Sequence, residues 1–366
     1  MIDIDFERLR TLGLTSALAH AAAQAAADAD ASPPLELLRL TEVHRDAVRL
    51  HDGADELMAR VPPRLTRTLA DDGAMLAVGD WVLAATDAHG QIHVHARVPP
   101  LTRLNRRDAD GRRHTVVANV DTALLVMGLD DDFNPRRLER YLALVRAGGA
   151  GITPAVVLTK ADVIASVPGR LAERLEALRG RVPARIDLFA IDGTDPYTVQ
   201  QLQAHLGAGQ TLVVLGSSGA GKSTLTNTLL GRAVQDTGAV RVHDGRGKHT
   251  TTARSLHRLP GGACVIDTPG LRALRPDVDA ATLAAAFDDI ESLALRCRFR
   301  DCRHVDEPGC AVRAGVPADR VTNYHKLLRE ARRDTLSVLE RRQQLALWKA
   351  RGRAGRERLK HKRDGV

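Results

Sequence analysis

The sequence is poor in aromatic residues, in cysteine and in long apolar runs. Of its 366 residues only 3% are Phe, Trp or Tyr, and four are cysteine. No apolar run approaches the ~18 residues of a membrane-spanning helix, so we expect no membrane partner. The first residues, MIDIDFER, carry acids where a signal peptide needs a basic region. We therefore expect a cytoplasmic protein, in which disulfides are rare.

Positive charge is concentrated at the carboxyl end. The formal net charge is +8, and residues 341–366 contain ten Lys or Arg against two acids, so this tail accounts for the whole excess. Such a tail is typical of proteins that bind nucleic acid or the ribosome. A solvated terminal helix can have the same composition.

The strongest motif is a glycine-rich loop between an apolar strand and a helix. The predicted strand 211–215 leads into GSSGAGKS, and a helical pattern begins at Thr224. This fits Gly-x-x-x-x-Gly-Lys-Ser/Thr, a phosphate-binding loop in which the lysine reaches the β and γ phosphates and the hydroxyl ligates Mg²⁺. The predicted nucleotide contacts are Gly216, Ser217, Ser218, Gly219, Ala220, Gly221, Lys222, Ser223 and Thr224.

A second motif, TKAD, points to guanine. It follows the predicted buried strand 155–158. A carboxylate at Asp162 can accept from N1–H and the N2 amine of guanine, a donor pair that adenine lacks, and the stem of Lys160 can lie over the purine face. Thr159 replaces the asparagine of the common motif. The predicted base contacts are Thr159, Lys160, Ala161 and Asp162, with a second base loop near 189–192.

Two further segments are typical of GTPase switches. The predicted strand 262–266 ends in DTPG, which places Asp267 to hold Mg²⁺ through water and the Gly270 N–H to meet the γ-phosphate. The GKHTTT segment at 247–252 supplies hydroxyls, and either Thr250 or Thr251 should complete the Mg²⁺ shell.

The order of these motifs indicates a circular permutation. In most GTPases the phosphate loop comes first, yet here the guanine motif precedes it. Alternating strands and helices from about residue 116 predict an α/β domain with a parallel sheet. All these loops would still meet at the carboxyl ends of its strands.

Short strands before this domain predict a small barrel. The clearest, 91–98, alternates with period two, and the OB-fold is the favoured interpretation. Trp81 is its one candidate for base stacking, so RNA recognition would depend on phosphate and shape. The candidate arginines are Arg97, Arg103, Arg106, Arg107, Arg112 and Arg113.

Three cysteines and a histidine lie within one short segment, CRFRDCRHVDEPGC. Three thiolates and one imidazole form a closed tetrahedral set with no open position, which is typical of structural zinc. We expect one zinc ion, with the ligands Cys297, Cys302, His304 and Cys310.

The barrel, the permuted GTPase domain with HTTT and DTPG switches, and the spacing Cys-x4-Cys-x-His-x5-Cys together resemble the ribosome small subunit-dependent GTPase A family of bacteria (RsgA). ANVD at 118–121 and VGDWV at 78–82 also resemble this family, and the likeness runs from about residue 37 to at least residue 330. We expect an N-terminal extension at 1–36, an OB-fold RNA-binding domain at 37–114, a permuted P-loop GTPase domain at 115–277 and a helical zinc-binding domain with its basic tail at 278–366.

The resemblance implies a cytoplasmic GTPase that acts in late maturation of the 30S subunit, binds 16S rRNA at the decoding region and is stimulated by the subunit. Its ligands would be GTP with Mg²⁺, GDP and one zinc ion, and we expect a monomer. Leu271 occupies the position of the Ras-like glutamine, so intrinsic turnover should be slow. His249, or a group from rRNA, is the hypothesised replacement.

Two other interpretations stay open. One is a nucleotide-gated RNA-binding assembly factor whose hydrolysis is incidental. The other is a P-loop ATPase or small-molecule kinase, which the guanine motif at Asp162 argues against.

Overall fold

A computed structural model describes residues 2, 4–28, 34–45, 47–107, 113–149, 151–233, 254–268 and 275–334. The chain divides into two compact units, Met1–Pro276 and Asp277–Val366. Among the described helices, none is long and apolar enough to cross a membrane. Several predicted features lie outside these ranges: Arg112, His249, Thr250, Thr251, Gly270, Leu271 and the basic tail.

The N-terminal segment forms two helices, α1 (Phe6–Arg10) and α2 (Ser16–Asp28). The Asp5 carboxylate caps α1 by accepting from the backbone N–H of Arg8. Although the alanine-rich sequence shows little amphipathic contrast, Leu9, Leu12 and Leu18 are buried in the main core. The segment is therefore an integral part of the first unit.

A five-stranded barrel follows. Its elements are β1 (Glu36–Val43), β2 (Ala47–His51), β3 (Glu56–Arg60), α3 (Pro63–Asp71), β4 (Trp81–Thr86) and β5 (Ile92–Arg97). The strand order is β1-β2-β3-β5-β4, closed by pairing of β4 with β1. Only β3 and β5 run parallel. This closed five-stranded arrangement confirms the predicted OB-type barrel.

The structure changes the RNA-recognition prediction for Trp81 and for the location of most of the candidate arginines. Trp81 is fully buried and therefore cannot stack on a base. The barrel closes at β5, and the next strands, β6 (Arg103–Arg107) and β7 (Arg113–Ala118), pair as a hairpin in a separate sheet. Four of the six candidate arginines lie on this hairpin: Arg103, Arg106, Arg107 and Arg113.

The rest of the first unit is an α/β layer. Its elements are β8 (Thr122–Gly128), α4 (Pro135–Ala147), β9 (Thr153–Thr159), α5 (Ala161–Ala165), α6 (Arg170–Leu178), β10 (Leu188–Ala190), α7 (Tyr197–Gln201), a 3₁₀ turn (Gln203–His205), β11 (Thr211–Gly216), α8 (Lys222–Leu230), β12 (Ser255–Arg258), β13 (Cys264–Asp267) and β14 (Arg275–Pro276). The order is β10-β9-β8-β11-β13-β12, parallel except at β12. Strands β8 and β11 are buried at every residue, as parallel strands covered on both faces should be.

Two strand pairings connect the α/β layer to the barrel and to the β6–β7 hairpin. Strand β12 pairs with β1 at Glu42 and Ser255, so barrel and α/β strands share one eleven-stranded sheet. Strand β14 pairs with β6. At the junction lies the buried Arg39, whose Nη2 donates to the Asn119 carbonyl at 2.9 Å and whose guanidinium lies 5.1 Å from the Trp81 ring centroid.

The second unit is helical, with α9 (Ala280–Ala286), α10 (Asp288–Ala294), α11 (Ala311–Gly315) and α12 (Ala318–Asp334). Arg320 forms two hydrogen bonds to Asp289, both 2.8 Å, and its guanidinium lies over the buried Phe287 ring. The Tyr324 hydroxyl donates to Glu291 at 2.7 Å. These contacts hold α10 against α12.

Candidate nucleotide and metal sites

The glycine-rich loop connects β11 to α8 at the carboxyl edge of the sheet. Its helix begins at Lys222, two residues before the predicted start at Thr224. The difference arises because Gly221, with φ of 88°, turns the chain so that Lys222 already has helical geometry. Backbone N–H groups at this helix start have no intrahelical partner and suit an anion.

Lys222 is folded back into its own loop. Its Nζ donates to the Ser217 carbonyl at 2.6 Å, and the residue is only 6% exposed. Burial lowers the pKa of the Lys222 amine, while the charges of Asp267 and Asp132 oppose that shift. A phosphate group would add a further counter-charge to this buried ammonium.

Asp267 stands beside the loop because β13 pairs in parallel with β11, with Asp267 opposite Val214. Burial raises the pKa of this carboxyl, and the charge of Lys222 partly offsets the effect. Within the described ranges, its buried Oδ1 has no hydrogen-bond donor. An unsatisfied carboxylate oxygen next to a phosphate-binding loop fits hydrated Mg²⁺, which prefers oxygen ligands.

The guanine motif contacts the phosphate-binding loop directly. The Thr159 hydroxyl donates to the Ala220 carbonyl at 2.7 Å, and Lys160 Nζ donates to the Gly219 carbonyl at 2.9 Å. Threonine in place of asparagine therefore still joins the two motifs. Asp162 lies exposed in the first turn of α5.

The second predicted base loop also lies at this edge. The Ala161 N–H donates to the Ile191 carbonyl at 3.1 Å, which holds the loop against the guanine motif. The Thr228 hydroxyl, from α8, donates to the Gly193 carbonyl at 2.7 Å. The structure thus brings together every described segment that the sequence assigns to the nucleotide.

Sequence reasoning missed two acids at the same edge. Asp130 and Asp132 follow β8, the strand between β9 and β11. Asp130 pairs with Lys160 at 2.5 Å, and both oxygens of Asp132 accept from the Ser217 hydroxyl, at 2.7 and 2.6 Å. Their position after a buried parallel strand was the available signal.

The four predicted metal ligands converge in the second unit. Their candidate ligand atoms all lie within 4.8 Å of one another. The Nδ1 atom of His304 is 3.7 Å from Cys297 Sγ and 3.4 Å from Cys310 Sγ. The backbone of His304 is left-handed, with φ of 59°. Three thiols and one imidazole in this space fit a tetrahedral structural zinc ion.

A neighbouring carboxylate supports the metal loop. Glu307 accepts backbone N–H bonds from Arg303, Val305 and Asp306, between 2.9 and 3.1 Å. These bonds, that from Arg303 foremost, lower the Glu307 pKa to about 2. The loop geometry is thus fixed by a charged hydrogen-bond acceptor as well as by the cluster.

A family profile and the similar curated proteins all indicate the same GTPase family. Residues 96–276 match the profile of the family described as RsgA GTPase. The chain is 47% identical over 299 residues to the small ribosomal subunit biogenesis GTPase RsgA of Xanthomonas campestris pv. campestris (strain B100), covering 79% of each chain. It is 46% identical over 302 residues to the protein of that name from Xanthomonas axonopodis pv. citri, covering 80% of each.

Two solved structures share the fold. YjeQ from Thermotoga maritima aligns with a TM-score of 0.56 and 21% identity, covering 81% of this chain and 98% of its own. YloQ, described as a circularly permuted GTPase, aligns with a TM-score of 0.55 and 21% identity, covering 84% and 99%. The fold of this chain is therefore shared with solved proteins.

Proposed function

Because the chain belongs to the RsgA GTPase family, we propose that it binds GTP and hydrolyses it to GDP and phosphate during late maturation of the 30S ribosomal subunit. The observation that carries the proposal is the pair of hydrogen bonds from Thr159 and Lys160 to the phosphate-binding loop. They join a guanine-reading motif to a phosphate site that comes later in the chain.

We assign the nucleotide contacts from the charge and the hydrogen-bonding groups of each residue. Lys222 and the loop N–H groups would bind the phosphates, while Ser223 and Asp267 would hold Mg²⁺, which neutralises charge that develops on the γ-phosphoryl group. Asp162 would read the guanine edge. Thr250 or Thr251 and Gly270 would complete the site from segments outside the described residues.

The proposed partners are the 30S subunit and 16S rRNA. A family name that refers to the small ribosomal subunit, a small barrel and a strongly basic tail at 341–366 all support this assignment. The zinc ion would be structural, held by the three cysteines and His304. We further propose that the protein is cytoplasmic and acts as a monomer.

Hydrolysis requires a group that Leu271 cannot supply, because its side chain neither donates nor accepts a hydrogen bond. We propose that His249 or a group of the rRNA supplies it. Stimulated GTPase activity of His249→Ala, measured with 30S subunits, tests the histidine. Turnover equal to that of the unchanged protein would remove His249 from the mechanism.

Nucleotide preference tests the core of the proposal. A fluorescent GDP analogue bound to the protein should be displaced by GTP but not by ATP, because ATP lacks the donor pair that Asp162 accepts. Equal displacement by both nucleotides would favour a P-loop ATPase. Maturation of 30S subunits by a variant that binds but does not hydrolyse GTP would favour the assembly factor with incidental hydrolysis.

A further inference from the structure

The loop after β8 reaches across the sheet edge to the guanine motif. Lys160 Nζ donates both to Oδ2 of Asp130, at 2.5 Å, and to the Gly219 carbonyl, at 2.9 Å. The Lys160 ammonium is therefore held between an acid from one loop and the backbone of the phosphate-binding loop. Neither partner is adjacent to Lys160 in sequence.

Asp130 is itself fixed at its second oxygen. The backbone N–H of Asp132 donates to Asp130 Oδ1 at 3.2 Å. Asp132 in turn accepts from the Ser217 hydroxyl and pairs with Arg137 at the start of α4, and its side chain is only 16% exposed. The acidic loop is thus anchored to both the phosphate-binding loop and α4.

The end of β8 leaves room for this carboxylate. A methyl group on Gly128 would collide with Oδ1 of Asp130, so a side chain there would displace the acid. Burial tends to raise the pKa of Asp130, but the hydrogen bond from Lys160 and its other contacts outweigh this, and the net pKa is lowered. Asp130 is therefore ionised at neutral pH.

Because the Lys160 ammonium is held by two acceptors, the aliphatic part of its side chain is also restricted. A lysine side chain has four rotatable bonds, and fixing them on ligand binding costs conformational entropy. With Nζ already fixed at two points, less of that entropy is lost when a purine packs on the stem. A charge-assisted pair that lies one third exposed contributes modestly, so its removal should change affinity only a few-fold.

From these contacts we propose that Asp130 is a positioning residue for the nucleotide base: it acts through Lys160 and pre-orders the stem that covers the purine face. The inference rests on the proposed function, because it requires a purine nucleotide at this edge. It adds a residue from a loop that belongs to none of the recognised GTPase motifs.

The test is the affinity of the full chain for a fluorescent GDP analogue. Asp130→Asn should weaken binding about three- to five-fold. Asp131→Asn, which removes the same charge at the exposed neighbouring residue, should leave affinity unchanged. Asp130→Glu should restore part of the loss, and thermal midpoints of all three variants should match the unchanged protein.

Two further measurements separate positioning from a general disturbance. In a Lys160→Gln background, Asp130→Asn should cause no additional loss. The ratio of GDP to IDP affinity should stay constant in Asp130→Asn, because Asp162 and not Lys160 reads the 2-amino group.

The outcomes are distinguishable. If the unchanged protein binds guanine nucleotides and Asp130→Asn binds them as well as Asp131→Asn does, the inference is wrong and the proposed function stands. An undiminished effect of Asp130→Asn in the Lys160→Gln background would also overturn it. If the unchanged protein binds no guanine nucleotide, the inference about Asp130 and the proposed function are both wrong.

Discussion

At the scale of single residues, Thr159 makes a defined contact at a position where the common motif has another residue. An asparagine is usual at this position, yet the Thr159 hydroxyl reaches the Ala220 carbonyl at 2.7 Å from a residue that is 1% exposed. The hydroxyl thus donates the hydrogen bond that joins the guanine motif to the phosphate-binding loop. The identity of the residue matters less here than its hydrogen-bonding group.

This leads to a prediction for Thr159→Val. The substitution keeps the shape but leaves the Ala220 carbonyl without its donor, which costs about 1–3 kcal/mol for a buried polar group. Guanine nucleotide affinity should fall, while Thr159→Ser should bind like the unchanged protein. Calorimetric titration with GDP measures both. Equal affinities for the valine and serine variants would show that the contact is not needed.

Asp80 is an acid directly before β4 of the barrel. It is fully buried, its Oδ2 accepts from the Ala77 N–H at 2.8 Å, and burial raises its pKa to about 6. An acid whose folded-state pKa lies above its ordinary value of 3.8 holds a proton more tightly in the native state. Its contribution to stability is therefore lost as pH rises from about 4 to about 6.

The predicted consequence concerns Asp80→Asn, which cannot ionise. Relative to the unchanged protein, this variant should gain stability as pH rises from 4 to 7, on the order of 2–3 kcal/mol. Urea unfolding at both pH values measures the difference. The exposed Asp131→Asn serves as the control, and a pH-independent difference between Asp80→Asn and the unchanged protein would contradict the assignment.

At the scale of elements, the N-terminal helices are bound into the first unit. Leu12 is 0% exposed, Arg8 pairs with Asp52 of the barrel, and Cys264 Sγ of β13 lies 3.8 Å from the Thr11 carbonyl. The segment therefore contacts both the barrel and the α/β layer. Its composition alone, rich in alanine, did not indicate this.

A core substitution tests that packing. Leu12→Ala should lower the free energy of unfolding by about 2–5 kcal/mol, because it removes buried apolar volume and leaves a cavity. Leu101→Ala, at a residue that is 56% exposed, should change it little. Denaturant unfolding compares them. Similar small losses in both variants would place the N-terminal segment outside the cooperative core.

We expect the metal loop to depend on a bound ion for its folding. The segment between α10 and α11 contains the four ligands and no regular secondary structure, so it buries little apolar surface. We predict one zinc ion per chain. Cys302→Ser, or a strong chelator, should remove it and increase proteolysis within 277–334.

Cys264 provides the matched control. This cysteine is fully buried in β13 and lies outside the cluster. Cys264→Ala should keep its zinc. Elemental analysis of the purified variants decides the point, and a full zinc complement in Cys302→Ser would contradict the ligand assignment.

At the scale of the whole molecule, the sequence predicted most accurately what depends on neighbouring residues. The phosphate-binding loop, the TKAD motif and the cysteine cluster are each local, and their placement between strands and helices agrees with the structure. The order of these motifs predicted the permuted sheet. Local chemistry together with chain order was sufficient for the fold class.

What could not be predicted arises where distant segments meet. Asp130 reaches Lys160 because β8 lies between β9 and β11 in the sheet, an order that no local pattern encodes. The burial of Trp81 depends on packing against Arg39 of another strand. The start of α8 shifted because of the left-handed backbone at Gly221. The first two misses concern tertiary context, whereas the shifted helix start is a local backbone effect at a glycine.

The proposed function requires that the small ribosomal subunit stimulate GTP hydrolysis by this chain. GTP turnover of the full chain, measured with and without purified 30S subunits, tests it most directly. We predict slow turnover of the chain alone and a rise of roughly ten-fold or more with 30S subunits, abolished by Lys222→Ala. Turnover that 30S subunits leave unchanged, or equal hydrolysis of ATP, would contradict it.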